Sequence, residues 1–317
     1  MINFTINIKE GDKVFIERIN VRGNFATKEE VIRNEFIVDE GDPFNNVLFN
    51  KSLNNLRNTG FFKNVDSKTV NGSTKDFKII DLTVEEQATG EISVGAGVGT
   101  SGSTVSGGIS ENNFLGKGIR LDTNLSVSAN SVTGKFVYSK PNFNYTDNTL
   151  FTSLTSTKTD NLTDYGYKTD KTGFSLGTTF EQFENLYFSP DIALSSESLT
   201  TNSTASASLK KQEGSYSDIY FNYGLKYDLR NSRYNPSDGF ITNFYQSLPL
   251  VSDGSELTNV LEINKYQKLF SGMVGQIGFY TRVVNSVSGK DVRASKRVSL
   301  PSKKLRGFEP GKIGPTD

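Results

Sequence analysis

Between Ile219 and Leu229 every second residue is apolar: Ile219, Phe221, Tyr223, Leu225, Tyr227 and Leu229 alternate with Asn222, Gly224, Lys226 and Asp228. A period of two this strict forces an extended strand with one apolar and one polar face. The same alternation runs through Ile119–Val127, where Ile119, Leu121, Leu125 and Val127 oppose Arg120, Asp122, Asn124 and Ser126. In 90–99, Ile92, Val94, Ala96 and Val98 share one face, and Glu91, Ser93, Gly95 and Gly97 are among the residues on the other. Further strands are predicted at 104–110, 132–140, 149–157, 172–182, 186–195, 239–248, 258–269 and 272–284, about eleven in all, with hardly a helical signal among them.

Two-faced strands suit a soluble sandwich or a membrane β-barrel. Sandwich strands are usually near five or six residues, whereas these run to about nine to fourteen, the length of tilted membrane strands. Charges fall almost wholly on the polar face, as a wet lumen requires and a lipid face penalises. Aromatics gather near strand ends, at Phe143, Tyr145, Tyr187, Phe188 and Phe240, where interfacial girdles belong. The barrel is therefore expected. No apolar run of about 18 residues is present to make a transmembrane helix, and a mean hydropathy of −0.42 is unremarkable for a barrel.

Composition removes several functions. The chain has 35 basic and 35 acidic residues, so no basic excess points to nucleic acid. It contains neither Cys nor His, which excludes disulfides, thiol or Ser-His nucleophiles and the common zinc sites. No carboxylate pair stands apart from the lumen pattern, so no enzyme and no cofactor are expected. Gly97-Val98-Gly99-Thr100-Ser101-Gly102 matches a dinucleotide fingerprint, but a strand follows where that fold needs a helix.

Residues 14–86 read as a small αβ module. A strand at 14–21 leaves through Arg22-Gly23-Asn24. Thr27-Lys28-Glu29-Glu30 reads as a capping box opening a helix to about Ile37. Phe49, Leu53 and Leu56 recur at helical spacing in a second helix that Gly60 terminates. Two strands then flank Asn71-Gly72.

Near the C-terminus, Leu305-Arg306-Gly307-Phe308 lies in a Pro- and Gly-rich loop. On turn chemistry alone this is either a surface turn with an incidental Arg or an Arg placed for a bidentate acceptor. Together with the β-α-α-β-β order, Thr59-Gly60-Phe61-Phe62, Asn113-Phe114-Leu115-Gly116-Lys117-Gly118 and Tyr234-Asn235-Pro236-Ser237-Asp238-Gly239, the motif resembles the BamA family of outer-membrane assembly barrels, with two-partner secretion transporters as cousins.

The resemblance implies an α+β POTRA domain followed by the N-terminal part of an antiparallel transmembrane β-barrel. Residues 1–12 would end a preceding POTRA domain, 13–87 would be the last POTRA domain, and 88–317 an incomplete barrel ending in the inward-folding loop of Arg306. The signal peptide, earlier domains and last strands would lie outside this segment. It further implies a bacterial outer-membrane location with the POTRA domain in the periplasm. The partners would be unfolded outer-membrane proteins, periplasmic lipoproteins of an assembly complex and outer-membrane lipid. The implied activity is insertion of clients through β-augmentation and a lateral seam at the first strand (Glu91, Ile92, Ser93, Val94, Gly95, Ala96, Gly97, Val98), with a secretion pore as the alternative. Glu40 is a candidate lipoprotein contact, or else part of a solvated loop.

Overall fold

The computed structural model describes residues 13–99, 102–232, 235–270, 272–298, 300 and 314. The chain divides into two units, the first comprising 1–90 with 111–119, the second 91–110 with 120–317.

In the first unit, β1 (Phe15–Arg22), α1 (Glu29–Arg33), α2 (Asn46–Asn58), β2 (Phe62–Asn71) and β3 (Phe77–Glu86) follow the β-α-α-β-β order. β3 is central, parallel to β1 and antiparallel to β2. The helices bury Ile32, Phe49, Leu53 and Leu56 against Ile16, Ile19, Val65, Ile80 and Leu82 of the sheet. This is one apolar stripe per helix against one sheet face, the arrangement that removes most apolar surface from water. Asn45 caps α2 by accepting from the Val47 and Leu48 amides. Gly60 follows its C-terminus at φ +74°, a conformation costly for any residue with a Cβ.

α1 corrects the expected capping box. Its N-cap is Lys28, with no side-chain cap. The helix also stops at Arg33 rather than near Ile37. Beyond it the Glu35 and Phe36 amides fall back on carbonyls three residues earlier, and the Ile37 amide donates to Ser52 Oγ at 2.8 Å. Tertiary hydrogen bonding to α2 replaces the last turn, and the Phe36 ring packs 6.3 Å from Phe49.

Among the described residues of the rest of the chain, eleven strands form one sheet in sequence order. They are β4 (Gly90–Gly99), β5 (Gly102–Phe114), β6 (Ile119–Ser128), β7 (Ser131–Lys140), β8 (Thr149–Asn161), β9 (Tyr167–Phe183), β10 (Leu186–Thr201), β11 (Gly214–Asp228), β12 (Gly239–Ser252), β13 (Glu256–Phe270) and β14 (Met273–Ser286). β4 and β14 are its edges. Several strands are longer than predicted, β9 reaching 17 residues. Pairing continues past the alternating stretch through Lys168↔Thr200 and Asp170↔Ser198, where polar residues predominate on both faces and periodicity is silent.

Register assigns the faces. Leu225 lies opposite Phe188 and Phe244, and Phe221 opposite Ile192 and Leu248. A row of exposed apolar residues, Leu154, Phe174 and Leu194, crosses β8, β9 and β10 on that outer face. Phe188, Phe221 and Phe244 ring Tyr223 there with centroids 6.0 to 6.1 Å away. The opposite, inner face holds Asp218 beside Ser195 and Asn222 beside Asp191 and Ser247. A sheet that exposes its apolar face and buries its polar one is built for a nonaqueous surround. No helix among the described residues is long and apolar enough to cross a membrane, which says nothing of crossing by strands.

Candidate functional site

Three features carry functional chemistry. The first is β4. Residues Glu91, Ile92, Ser93, Val94, Gly95, Ala96 and Gly97 are exposed along this edge strand, with Ile92 at 78% and Val94 at 82%. The backbone of Val98 continues the strand. A Cβ built on Gly97 would meet nothing within 4 Å. Each glycine leaves the ladder without side-chain packing, and an edge strand offers free N–H and C=O groups for another chain.

The second is a joint inside the first unit. Gly116 stands at φ +67°, and a Cβ there would lie 1.8 Å from the Ala26 carbonyl oxygen. Only glycine lets the 115–118 turn meet the loop of Phe25–Thr27 so closely. The Lys28 amide donates to the Gly116 carbonyl at 2.8 Å. Thr27 is buried, and its Oγ1 accepts from Asn113 Nδ2 at 2.8 Å. Thr27 is thus engaged by the turn, and its side chain makes no cap on α1. Asn113 Oδ1 in turn accepts the Gly118 amide at 2.7 Å. The turn predicted from Asn113-x-x-Gly116-x-Gly118 is therefore pinned at its first and last residues.

Glu86 completes this joint. Its carboxylate accepts the Phe25, Ala26 and Thr27 amides at 3.0, 2.9 and 2.6 Å. Burial pushes its pKa up, but hydrogen bonds from the Thr27 side chain and the Ala26, Thr27 and Phe25 amides outweigh this and hold it below the usual carboxylate value. A depressed folded pKa stabilises above the unfolded value and is lost as pH falls through the folded one. Acidification below the ordinary glutamate range should therefore loosen the loop. The Tm of the wild-type chain should fall with acid more steeply than that of Glu86→Gln, whose joint is already weakened at neutral pH. Parallel Tm profiles would contradict this role.

The third feature was not anticipated. Arg293, past β14, is 2% exposed on the inner face. Its Nε donates to Glu256 Oε1 at 2.7 Å, and its Nη2 donates to Asp218 Oδ2 at 2.7 Å and to Glu256 Oε2 at 2.9 Å. The guanidinium lies 4.6 Å from the Tyr216 ring centroid. Glu197, 1% exposed, has one carboxylate oxygen 3.9 Å from Arg293 Nη1. The fork therefore gathers carboxylates from β10, β11 and β13, a bidentate use that a lysine cannot reproduce. The β10–β11 loop clasps the same segment. It holds α3 (Ala207–Lys210), Gln212 Oε1 accepts the Ala294 amide at 2.9 Å, and Ser208 Oγ accepts from Arg297 Nη2 at 3.4 Å. Glu197, Asp218 and Glu256 each occupy an inner-face position, so in sequence they look like any lumen carboxylate. Parity could have selected them, but nothing periodic marks Arg293.

Of the other predicted positions, Glu40 is half-exposed, and its Oε1 accepts the Ile19 amide at 2.9 Å and pairs with Arg33 Nη1 at 3.3 Å. The Ile19 amide foremost, with Arg33, holds its pKa below the usual value. Leu305, Arg306, Gly307 and Phe308 lie outside the described residues, as do 1–12 and Tyr234. Among the described residues no cluster of Asp and Glu is arranged to hold a metal ion.

The geometry, a β-α-α-β-β domain followed by an apolar-faced meander, can be set against known proteins. The model of the Omp85 superfamily domain matches residues 113–317, and a surface antigen variable number repeat, the POTRA model, matches 14–87. The chain belongs to the Omp85 superfamily. Within it, the chain is similar to a putative outer membrane protein assembly factor of Treponema pallidum, 33% identical over 143 residues, 43% of this chain and 17% of the relative. It is also 28% identical over 144 residues to the outer membrane protein assembly factor BamA of Neisseria meningitidis, 45% of this chain and 18% of that one. Among solved structures, BamA from Haemophilus ducreyi lacking POTRA domains 1–3 superposes with a TM-score of 0.80 at 25% identity, over 96% of this chain and 62% of that one. CdiB from Acinetobacter baumannii shares the fold at a TM-score of 0.56 and 12% identity, over 93% of this chain and 57% of that one. The chain is thus similar in fold to BamA, a POTRA domain followed by an eleven-stranded antiparallel sheet. Its matches cover less than a fifth of those two curated relatives.

Proposed function

We propose that the full protein receives unfolded β-barrel proteins in the periplasm and inserts them into the bacterial outer membrane. The observation that carries this reading is β4: a glycine-rich, exposed edge strand opening a sheet whose outer face is apolar. A client strand templates on the free backbone groups of Ile92–Val98, and the sparse side-chain packing of the glycines makes opening there cheap. The POTRA sheet contributes β2 and β1 as further edges for extended segments. No nucleotide or metal is required, because client folding in the bilayer is itself downhill. The POTRA domain faces the periplasm, where accessory lipoproteins dock. Glu40 is proposed as one of their contacts, and retention of a co-purifying lipoprotein by Glu40→Gln would remove it from that role.

Depleting the full-length protein tests this function. Levels of many unrelated outer-membrane barrels should fall together while their unfolded forms accumulate. Loss of a single secreted partner, with the other barrels unchanged, would assign a secretion pore instead.

A further inference from the structure

The inner face of β9 and β10 is lined by unusually small side chains. Gly173, Ser175 and Gly177 alternate with the outer-face Phe174 and Leu176, and Ser195 and Ala193 stand opposite Gly173 and Ser175 on β10. Alternation asks inner positions to be free of large apolar groups; it does not ask them to be this small. The consequence is room. A cavity of about 310 Å³ opens over this floor, with Ser153 and Thr155 of β8 on one side and Tyr220, Asn222 and Tyr245 on the other. Lys296, past β14, reaches over it and holds its Nζ 4.6 Å from the Tyr220 ring centroid.

The lining is charged differently along the strands. Lys171 is in register with Glu197, and Asp191 with Asn222 farther along β10, so the cationic and acidic groups stand toward opposite ends. Neither Lys171 nor Lys296 has a carboxylate within ion-pair distance among the described residues. Glu197, Asp218 and Glu256 are drawn to Arg293 instead, at 3.9, 2.7 and 2.7 Å. Burial, and then the charges of Lys171 and Arg293, push Lys296 down to about 8 against the pull of Asp218 and Glu256. Ser195 Oγ is buried beside them without a hydrogen-bond partner. Toward the other end Asn222, 6% exposed, donates Nδ2 to Asp191 Oδ1 at 2.8 Å, which leaves its own Oδ1 buried with no donor. Buried polar atoms left this way are costly. Water satisfies Ser195 and Asn222, but it brings no charge to set against the two lysines.

We propose that this cavity binds a small zwitterion. Lys171, Lys296 and Ser195 Oγ take its carboxylate or phosphate, and Asp191 with Asn222 Oδ1 takes its ammonium. Such a ligand joins the wall formed by β9, β10 and β11 to the segment after β14, and so reinforces the anchor made by Arg293. The site goes beyond the assembly role and does not depend on it.

Calorimetric titration of the full-length protein in nanodiscs tests the site. The probes are glycylglycine and phosphoethanolamine, with N-acetylglycylglycine and glycylglycinamide as controls that keep only the anion or only the cation. At least one zwitterion should bind saturably and both controls at least about tenfold more weakly, since each control forgoes a charge-assisted contact. The tighter zwitterion tells a phosphate headgroup from a peptide carboxylate. Ala193→Leu fills the floor while leaving every charge in place, and it should abolish binding. Lys171→Gln, which changes a half-buried side chain with no ion pair to lose, should weaken binding about tenfold and serves should Ala193→Leu not fold. Unchanged heat-modifiability on a gel shows that each variant is folded. Controls that bind as tightly as the zwitterions, binding that survives both substitutions, or no binding of either zwitterion to the folded protein would each overturn the proposal.

Discussion

Replacing Arg293 with alanine in the full-length protein should destabilise the barrel by about 3–5 kcal/mol, the usual cost of leaving buried ionised partners behind. Glu256 and Asp218 would each lose their hydrogen-bonded cation, and Glu197 would lose the guanidinium nitrogen 3.9 Å from it. The loop after β14 should then detach from the inner face. Heat-modifiability on a gel should appear at a lower temperature, and protease should cut within 287–298. Arg293→Lys should recover only part of the loss, because one ammonium cannot serve Glu256 through two nitrogens and Asp218 at once. An Arg293→Ala protein that melts and resists protease like the wild type would show that the buried cluster does not hold the loop.

The second large effect is on the outer face. Leu225 sits between Phe188 and Phe244 in register, well inside β11. A lysine or arginine there should cost about 2–4 kcal/mol if the position lies near the bilayer midplane. Lys226, one residue on, faces the inner side opposite Tyr187 and Asn243 and should accept another polar residue with little loss. The measurement is the folded fraction of each variant after refolding into lipid vesicles across urea concentrations. Equal sensitivity at the two positions would mean that the alternation does not separate lipid from lumen.

The sheet was legible because a one-sided environment writes itself into every strand. Outer positions are mostly apolar and inner ones are free to be polar, so Ile219–Leu229 could be read without reference to any other strand. The POTRA domain was legible where local rules operate, as at the Phe49–Leu53–Leu56 stripe and Gly60. The reading failed where a residue answers to a distant partner. Thr27-x-x-Glu30 satisfies the capping box locally, yet Asn113 and Glu86, remote in sequence, claim Thr27. Arg293 is the extreme case, since its meaning comes from strands that the register aligns only after folding.

Disulfide trapping at β4 tests the central claim most directly. The chain has no cysteine of its own. Single cysteines would be placed through Ile92–Val98 of the full-length protein and paired with single cysteines in the terminal strand of a client during its assembly. The account predicts crosslinks at alternate β4 positions, in one antiparallel or parallel register, that disappear when the client is released. Crosslinks confined to inner-face positions of the other strands, with β4 silent, would mean that substrate passes through the lumen, and the assembly role proposed for this edge would be wrong.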